Sequence, residues 1–434
     1  MIREYLALPP ARSVFGTVHA PPSKSATNRA LVLAALSREP VEIAGPLDAE
    51  DTNRLAACLR AMGAVIRPTS EGVRVQGPLG AVPGVSVVLL DAGASGTAAR
   101  FLAAVAAAVP GRYRLTGEAR LRERPIAPLV AALRSAGAEI EYEEREGFLP
   151  LSIAGGRLES GGAGGPIVVD ASESSQFLSA LLIAAAGSDG GLSVRPAGSV
   201  ASAPYVETTV SVLRAFGHEV LRGPGGEFTV ARSSAGPGRY AVPGDWSSAI
   251  PFFAAAGIGG GEVTVTGLDW PSPDADAGAL DVLESTGVAV DRSPVAIRAR
   301  ADRGPRTAVT VSAAGFPDAV PALAALAAFA DGESRFGDVG HLRSKESDRI
   351  AAIAELVGAA GGRATPGESE VRVDGPAREG GGLRRLPTFE DHRIAMAAAL
   401  LAIRVPGALI ENPGCVAKSY PGFFRDLETI LLRG

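Results

Sequence analysis

KSATNRALVLAAL, residues 24–36, is a short polar segment followed by a run of Ala, Leu and Val, and it is the first of six such segments. The other five are SGTAARFLAAVAAA (95–108), SSQFLSALLIAAA (174–186), SSAIPFFAAAG (247–257), DAVPALAALAAFA (318–330) and DHRIAMAAALLAI (391–403). Their polar openings, at Ser25, Ser95, Ser174, Ser247, Asp318 and Asp391, lie 70, 79, 73, 71 and 73 residues apart. Each segment predicts a helix that is apolar nearly all round and therefore buried.

A second helix with a half-buried pattern follows in each copy and is predicted to end at a left-handed glycine. These glycines are Gly63, Gly137, Gly217, Gly287, Gly361 and, in the last copy, Gly434. Strand-like runs such as VEIAG (41–45) and GVRVQG (72–77) separate the helices. Each copy is therefore interpreted as a β-α-β-α-β-β unit, and the whole chain as an α/β protein.

Six copies divide naturally into two domains of three. The break is expected near YAVPGD (240–245), after the Gly/Ser/Pro-rich stretch SSAGPGR (233–239). A first strand over residues 3–19 precedes the first copy and is expected to pair within the C-terminal half. We therefore expect one domain over residues 21–243 and another formed by residues 1–20 and 244–434, with the chain crossing twice at a hinge.

Composition limits the class of protein. The net charge of −5 over 434 residues argues against a nucleic-acid-binding surface, which needs a broad basic patch. No apolar run is long enough to cross a membrane, and the N-terminus lacks the pattern of a signal peptide. The two cysteines, Cys58 and Cys415, suggest no disulfide framework. We expect a cytoplasmic protein.

Cations cluster at or near several predicted helix starts. Because the first N–H groups of a helix lack partners and its dipole is positive there, these positions favour phosphate or carboxylate ligands. The densest cluster is HLRSKESDRI (341–350), which as a helix would place Lys345 and Glu346 beside Arg349. It is either a solvated face of ion pairs or a general acid held among cations.

Two other segments keep simpler interpretations open. For RERP (122–125) taken alone, exposed charges that pair with one another are as good an interpretation as a set of ligand-binding cations. His392 suggests a metal ligand, but no second histidine stands at ligand spacing, and no metal site is expected.

Together, SKS…NRA, SGT..R, RERPI, SSQFL.ALL, DHR and AKSYP, in this order, resemble the enolpyruvyl transferases, and among them the 5-enolpyruvylshikimate-3-phosphate (EPSP) synthase family. The similarity runs from PPSKSATNRA (21–30) to AKSYPGFF (417–424). It implies a two-domain inside-out α/β barrel of six βαβαββ repeats. It also implies transfer of the enolpyruvyl group of phosphoenolpyruvate to the 5-hydroxyl of shikimate 3-phosphate, through a tetrahedral intermediate and with release of phosphate, in aromatic amino-acid biosynthesis.

The resemblance further implies the ligand groups. Shikimate 3-phosphate would contact Ser25, Arg29, Ser174, Ser175, Gln176, Ser202, Tyr205, Asp318 and Lys345. Phosphoenolpyruvate would contact Lys24, Gly96, Arg124, Gln176, Arg349, Arg393 and Lys418. No metal or organic cofactor is implied, the only partners are the two small substrates, and the protein is expected to act as a monomer without nucleic acid or membrane.

For proton transfer we assign Asp318 as the base for the 5-hydroxyl and Glu346 as the proton donor to the methylene carbon, with Lys24 as a competing candidate for the base. His341 stands where some relatives carry Asn. Gly96 matches the position where glyphosate competes, so inhibition by glyphosate is expected.

There are three rival functions, and the sequence argues strongly against the first of them. The sister enzymes that use a UDP-amino sugar carry a reactive cysteine in the loop matching residues 111–126, where this chain has none. The second rival is a non-catalytic protein that binds anions, and the third is a relative that acts on a modified shikimate. An assay of phosphate release with both unmodified substrates would distinguish the expected enzyme from these two.

Overall fold

The computed structural model describes residues 4–80, 82–160, 165–188, 191–231, 236–377 and 382–433. The chain divides into two compact units. The terminal unit comprises Met1–Pro21 and Pro243–Gly434, and the central unit comprises Pro22–Val242. Residues 233–235 of the expected break, residue 3 of the expected first strand, and Gly434 lie outside the described residues.

The chain begins with two strands of the terminal unit, β1 (Tyr5–Ala7) and β2 (Ser13–His19). The expected single strand over residues 3–19 is therefore wrong in extent. β1 pairs antiparallel with residues 409–411 and β2 pairs parallel with residues 261–266, so both belong to sheets of the terminal unit.

The central unit alternates helices and strands. Its helices are α1 (Lys24–Leu36), α2 (Glu50–Ala61), α3 (Gly96–Ala108), α4 (Ala119–Arg122), α5 (Ala127–Ser135), α6 (Ser175–Gly187) and α7 (Pro204–Ala215), with a short 3₁₀ helix at Pro224–Gly226. Its strands are β3 (Val41–Ala44), β4 (Val65–Pro68), β5 (Gly72–Gln76), β6 (Val88–Asp91), β7 (Gly111–Thr116), β8 (Glu139–Tyr142), β9 (Leu151–Gly155), β10 (Ile167–Val169), β11 (Leu192–Pro196), β12 (Glu219–Arg222), β13 (Phe228–Ala231) and β14 (Arg239–Ala241).

These strands form three four-stranded sheets of the same design: β14-β3-β5-β4, β6-β7-β9-β8 and β10-β11-β13-β12. In each sheet the first pair is parallel and the other two pairs are antiparallel. The apolar helices α1, α3 and α6 are buried along almost their whole length and share one hydrophobic core.

The rest of the terminal unit has a similar make-up. Its helices are α8 (Trp246–Gly259), α9 (Ala279–Ser285), α10 (Val320–Ala327), α11 (Arg349–Ala359), α12 (His392–Ala402) and α13 (Phe423–Ile430), with 3₁₀ helices at Ala275–Gly278, Gly340–Ser344 and Pro413–Lys418. Its strands are β15 (Gly261–Thr266), β16 (Ala289–Arg292), β17 (Ala296–Ala301), β18 (Arg306–Thr307), β19 (Thr310–Ser312), β20 (Ala330–Gly337), β21 (Arg363–Pro366), β22 (Val371–Gly375), β23 (Arg384–Leu386), β24 (Ala408–Glu411) and β25 (Leu431–Leu432).

Three sheets result: β16-β17-β15-β2-β25, β18-β20-β22-β21 with β19 also on β20, and β1-β24-β23. The buried helices α8, α10 and α12 lie in a second core, separate from that of the central unit. The chain is thus a mixed α/β protein with mixed sheets, and all six predicted buried helices are present.

Three helix starts differ from the prediction. α1 is capped by Ser23, whose Oγ accepts from Ala26 N, rather than by Ser25. α8 is capped by Asp245, whose Oδ1 accepts from Ser248 N at 2.8 Å, rather than by Ser247. Asp318 precedes α10 without capping it, because the cap position is Ala319.

The second helices end as predicted in five copies. Gly63, Gly137, Gly217, Gly287 and Gly361 all have φ between 81° and 103°, the left-handed region that glycine adopts readily. In the sixth copy the prediction is wrong: α13 ends at Ile430, and Leu431 and Leu432 form β25 against β2.

Within the described residues, no helix is both long and apolar enough to cross a membrane. The described residues also contain no group of three or more His, Cys, Asp or Glu side chains arranged to hold a metal ion. Both cysteines are free thiols.

Candidate functional site

In the terminal unit, Arg349 joins three carboxylates. This first residue of α11 is 1% exposed. Its Nη1 lies 2.7 Å from Asp318 Oδ1 and its Nη2 lies 3.1 Å from Glu346 Oε2. Asp391 takes two bonds, from Nε at 2.8 Å to Oδ2 and from Nη2 at 3.2 Å to Oδ1. Segments that are far apart in sequence therefore meet at one guanidinium.

Two lysines extend this network. Lys345 Nζ lies 3.4 Å from Asp318 Oδ1, and Lys418 Nζ lies 3.4 Å from Glu346 Oε1. Lys345 and Glu346 lie in the turn between the 3₁₀ helix Gly340–Ser344 and α11, so the expected helical spacing to Arg349 is wrong. The turn still brings all three side chains into one network, because Arg349 bonds Glu346 and both Lys345 and Arg349 bond Asp318.

Arg393, the second residue of α12, is 3% exposed. Its Nη2 lies 3.8 Å from Asp245 Oδ1, and its Nη1 lies 3.5 Å from Ser248 Oγ. Its Nε has no hydrogen-bond partner among the residues described. A buried guanidinium N–H in this position is available to an acceptor supplied by a ligand.

The charged groups in this cluster shift one another's pKa values. Burial acts to raise the pKa of Asp318, but Lys345, Arg349 and Arg393 outweigh it and hold that pKa well below its usual range. Burial acts to lower the pKa of Arg349, yet the carboxylates of Asp391, Asp318 and Glu346 raise it well above its usual range. At neutral pH the cluster therefore contains ionised Asp318 and charged Arg349.

His341 lies on the 3₁₀ helix beside this cluster. Burial, together with the neighbouring cations Lys345 and Arg349, lowers the pKa of His341 to about 4. Its imidazole is therefore neutral at physiological pH and can act as a hydrogen-bonding group there, but not as a fixed charge.

In the central unit, two arginines converge on Gly96, the first residue of α3. A Cβ built there would lie 2.5 Å from Arg124 Nη1 and 2.6 Å from Arg100 Nη1. Arg124 and Arg100 are 7% and 4% exposed. The absence of a side chain at Gly96 therefore leaves room for both guanidinium groups at the positive end of α3.

Within RERP, the interpretation as exposed, paired charges holds for Arg122 and Glu123. Arg122 pairs with Glu144, and Arg120 lies 3.1 Å from Glu123, all four on exposed side chains. Arg124 alone is buried. Pro125 lies two residues before α5, which begins at Ala127.

The start of α6 lies beside the start of α3. Gln176 Nε2 donates to Thr97 Oγ1 at 3.0 Å, and its Oε1 has no hydrogen-bond partner in the part of the chain that the structure describes. Ser174 caps α6 by accepting from Gln176 N at 3.2 Å, and Ser175 is the first, buried residue of the helix.

Arg29 on α1 is held against α7. Its Nε donates to Thr209 Oγ1 at 2.8 Å and its Nη2 to Tyr205 O at 3.3 Å. Its Nη1 donates to Ser25 O at 3.0 Å. Three residues that the resemblance implies for one substrate, Ser25, Arg29 and Tyr205, are thereby brought together.

Ser202 precedes α7 and is 7% exposed with a left-handed φ of 52°, which is uncommon for serine. The neighbouring Ala201 N donates to Ala171 O, which ties this turn to the segment that leads into Ser174.

Lys24, the first residue of α1, forms an ion pair with Asp51 on α2, with 3.2 Å between Nζ and Oδ2. Asp51 is 4% exposed. The ion pair therefore joins the starts of α1 and α2 through two side chains that are largely shielded from solvent.

Sequence reasoning missed several residues of these clusters. Asp51, Thr209 and Asp245 each contact a predicted ligand residue, but no motif marks them. Thr97, which contacts Gln176, lies within the SGT..R motif but was given no role. Asn28 lies in the KSATNRA segment, is fully buried, and has neither amide atom hydrogen-bonded among the described residues. Its position between Ser25 and Arg29 was the one available signal.

The chain is similar over almost its whole length to proteins of one family. Residues 9–427 match the family model described as EPSP synthase (3-phosphoshikimate 1-carboxyvinyltransferase). A 3-phosphoshikimate 1-carboxyvinyltransferase of Bordetella petrii is 40% identical over 97% of this chain and 95% of its own length. One of Vibrio atlanticus is 36% identical over 99% of this chain and 100% of its own.

Among solved structures, an EPSP synthase from Acinetobacter baumannii superimposes with a TM-score of 0.79 at 27% identity, covering 100% of this chain and 99% of that one. A match over nearly the whole chain, together with relatives well above 30% identity, establishes the relationship. This chain belongs to the EPSP synthase family.

Proposed function

We propose that this chain is a 3-phosphoshikimate 1-carboxyvinyltransferase. It transfers the enolpyruvyl group of phosphoenolpyruvate to the 5-hydroxyl of shikimate 3-phosphate and releases phosphate, a step of the shikimate pathway to aromatic amino acids. The observation that carries the proposal for this chain is the network around Arg349, in which four cations and two candidate proton-transfer carboxylates meet. Such a cluster suits two small polyanions in a protein whose net charge is −5.

We assign the phosphoenolpyruvate ligands to Lys24, Gly96, Arg124, Gln176, Arg349, Arg393 and Lys418. Two of these residues support the assignment directly, because Gln176 Oε1 and Arg393 Nε lack partners among the described residues and can bind a ligand. Arginine suits the substrate carboxylate, since its planar fork can bind two oxygens at once.

We assign shikimate 3-phosphate to Ser25, Arg29, Ser174, Ser175, Gln176, Ser202, Tyr205, Asp318 and Lys345. The cap serine Ser174 and its neighbour Ser175 support the phosphate site, since they lie at the positive end of α6 with hydroxyl groups to donate.

In the proposed reaction, the 5-hydroxyl oxygen attacks C2 of phosphoenolpyruvate, Asp318 accepts the hydroxyl proton, and Glu346 donates a proton to C3. The tetrahedral intermediate then returns the C3 proton to Glu346, the bond from C2 to the phosphate oxygen breaks, and phosphate leaves with the proton held by Asp318. The low pKa of Asp318 keeps it ionised, as a base must be.

Lys24 is less suited to act as the base. Its Nζ lies 3.2 Å from Asp51 Oδ2 and is engaged in that ion pair, so we assign Lys24 as a positively charged ligand for the substrate anions.

We further propose that the six helix-and-sheet units are copies of one βαβαββ repeat in an inside-out α/β barrel, with three copies in residues 21–243 and three in 1–20 plus 244–434. The shared design of the three central sheets supports this assignment. We propose a monomer that acts in the cytoplasm.

The test is phosphate release by the purified chain. We expect release only when both phosphoenolpyruvate and shikimate 3-phosphate are present, and a loss of kcat of about 100-fold or more in Asp318→Asn and in Glu346→Gln. Glu144→Gln, which alters an exposed ion pair, is the matched control and should keep wild-type kcat. Near-native kcat in both active-site variants would contradict the acid–base assignment, and no release with both substrates would contradict the function.

A further inference from the structure

The guanidinium of Arg349 has two usable edges, and each is occupied differently. Nε and one N–H of Nη2 form one edge, and both of its bonds go to Asp391, at 2.8 and 3.2 Å. Nη1 and the other N–H of Nη2 form the second edge, which bonds Asp318 at 2.7 Å and Glu346 at 3.1 Å.

The two edges also differ in access. The side chain of Asp391 is 0% exposed, whereas those of Asp318 and Glu346 are 21% and 12% exposed. The Arg349 side chain is itself 1% exposed, so a ligand carboxylate reaches it only by replacing a partner, and the partly exposed Asp318 and Glu346 are the ones that can be replaced. The edge held by Asp391 is closed to it.

Asp391 is itself held in place. Its Oδ2 accepts from Ser347 Oγ at 3.0 Å, and its Oδ1 caps α12 by accepting from Arg393 N at 2.9 Å. The carboxylate is thus fixed by the helix that also carries Arg393, so the positions of the two arginines are linked through one side chain.

We propose that Asp391 is a positioning residue for phosphoenolpyruvate: it fixes the inner edge of Arg349 so that the outer edge binds the substrate carboxylate in place of Asp318 and Glu346. The inference rests on the proposed function. Displacement from Arg349 removes the cation 2.7 Å from Asp318 and so makes that carboxylate a stronger base. Binding of the second substrate would then prepare the group that accepts the hydroxyl proton.

Asp391→Asn tests the proposal, because asparagine keeps the shape and caps a helix equally well but removes the charge. We expect kcat/KM for phosphoenolpyruvate to fall about 100-fold, mainly through a higher KM. A binding group that is out of position, here the guanidinium of Arg349, can reduce kcat/KM by that factor. KM for shikimate 3-phosphate should change by less than about 3-fold, a split that general loss of structure would not produce.

Asp348→Asn is the matched control. Asp348 caps α11 directly before Arg349, accepting from Ala351 N at 3.1 Å, but its ion pair is with Arg343. The same substitution one residue from Arg349 should leave KM for phosphoenolpyruvate within about 2-fold of wild type, since the substitution conserves the cap.

A double-mutant cycle shows whether Asp391 acts through Arg349. In an Arg349→Lys background, which loses the fork, Asp391→Asn should reduce kcat/KM by less than about 3-fold further. A full additional loss in that background would overturn the proposal, as would wild-type KM in Asp391→Asn.

Thermal unfolding shows first whether Asp391→Asn is folded. If it is not, Ser347→Ala replaces it, since it removes one bond to Oδ2 and leaves charge and cap intact. We expect an increase in KM for phosphoenolpyruvate of about 3-fold that disappears in the Arg349→Lys background, and an unchanged KM would overturn the proposal. Turnover by the wild-type chain is the reference. Absence of wild-type turnover would contradict the proposed function, whereas wild-type KM in the variants would contradict only the positioning role.

Discussion

At Gly96, a single added methyl group would collide with two arginine side chains of the candidate site. Its Cβ would lie 2.5 Å from Arg124 Nη1 and 2.6 Å from Arg100 Nη1, so Gly96→Ala must move both guanidinium groups. We expect KM for phosphoenolpyruvate to rise about 10-fold, because Arg124, which we assign to this substrate, would be out of position. Steady-state kinetics at saturating shikimate 3-phosphate measures this, and Gly80→Ala, which has open space around it, is the control.

The same position predicts a response to glyphosate. We expect millimolar glyphosate to inhibit the wild-type chain by competing with phosphoenolpyruvate. We expect Gly96→Ala to weaken that inhibition, because the added Cβ would displace Arg124, which we assign to the site where the two compete. Inhibition curves at several phosphoenolpyruvate concentrations measure the competition, and turnover unaffected by millimolar glyphosate would refute it.

The ion pair between Lys24 and Asp51 makes a prediction for stability. Lys24→Met would leave the 4% exposed carboxylate of Asp51 facing no ammonium group, which should cost about 2 kcal/mol of unfolding free energy. Adding Asp51→Asn should restore most of that loss, because the charge that needs a partner is gone. Denaturant unfolding of the two single variants and the double variant measures it, and an additive loss in the double variant would show that the pair is not coupled.

The sequence motifs predicted the cations of these clusters, but they did not predict the acidic residues that pair with those cations. Motifs mark Lys24, Arg349 and Arg393, because cations before apolar helices are conspicuous in the chain. Asp51 and Asp245 are ordinary acidic residues at other helix starts, and only packing brings them to the cations. Pairing across helices is a tertiary property that no local spacing encodes.

At the scale of elements, the apolar pattern predicted which helices form but not where each begins. A cap is decided by which side chain reaches the free N–H groups of the first turn, and Ser23 and Asp245 do this in place of Ser25 and Ser247. Asp318 is the informative case, since failing to cap α10 leaves its carboxylate for Lys345 and Arg349.

The glycines that end the second helices give a prediction of their own. Gly137 has φ 92°, and a Cβ added to it would have no neighbouring atom within 4 Å, so Gly137→Ala should cost about 1 kcal/mol through backbone strain alone. Gly198→Ala, equally uncrowded but without a positive φ, should have no such cost. Chemical denaturation compares the two, and equal stability would show that α5 can end without a left-handed residue.

At the scale of the whole molecule, the six-fold pattern predicted the alternation of helices and sheets. It did not predict the strands at the margins, β1 and β25, because these short segments join sheets whose other strands lie far away in sequence. Their register depends on a sheet edge being available, which is a property of the assembled unit.

Four aspartates near the start of α8 make the stability of the whole chain depend on pH. Burial, reinforced by the carboxylates of Asp276, Asp245 and Asp269, raises the pKa of Asp274 to about 8. Between the ordinary carboxyl pKa near 4 and this value, the folded chain holds a proton that the unfolded chain has lost. This group therefore makes unfolding easier as pH rises through that window, by up to about 1.4 kcal/mol per pH unit, and its effect is constant above it.

Asp274→Asn removes this titration while keeping an oxygen to accept from Asp276 N. We expect the variant to be more stable than wild type by up to about 5 kcal/mol at pH 8, with a gain that shrinks toward zero near pH 4. Denaturant unfolding at several pH values measures the difference, with Asp291→Asn, an exposed aspartate paired with Arg300, as the control that should show no such trend. A gain independent of pH would mean that the proton on Asp274 does not carry the effect, and that the crowding of the four side chains does.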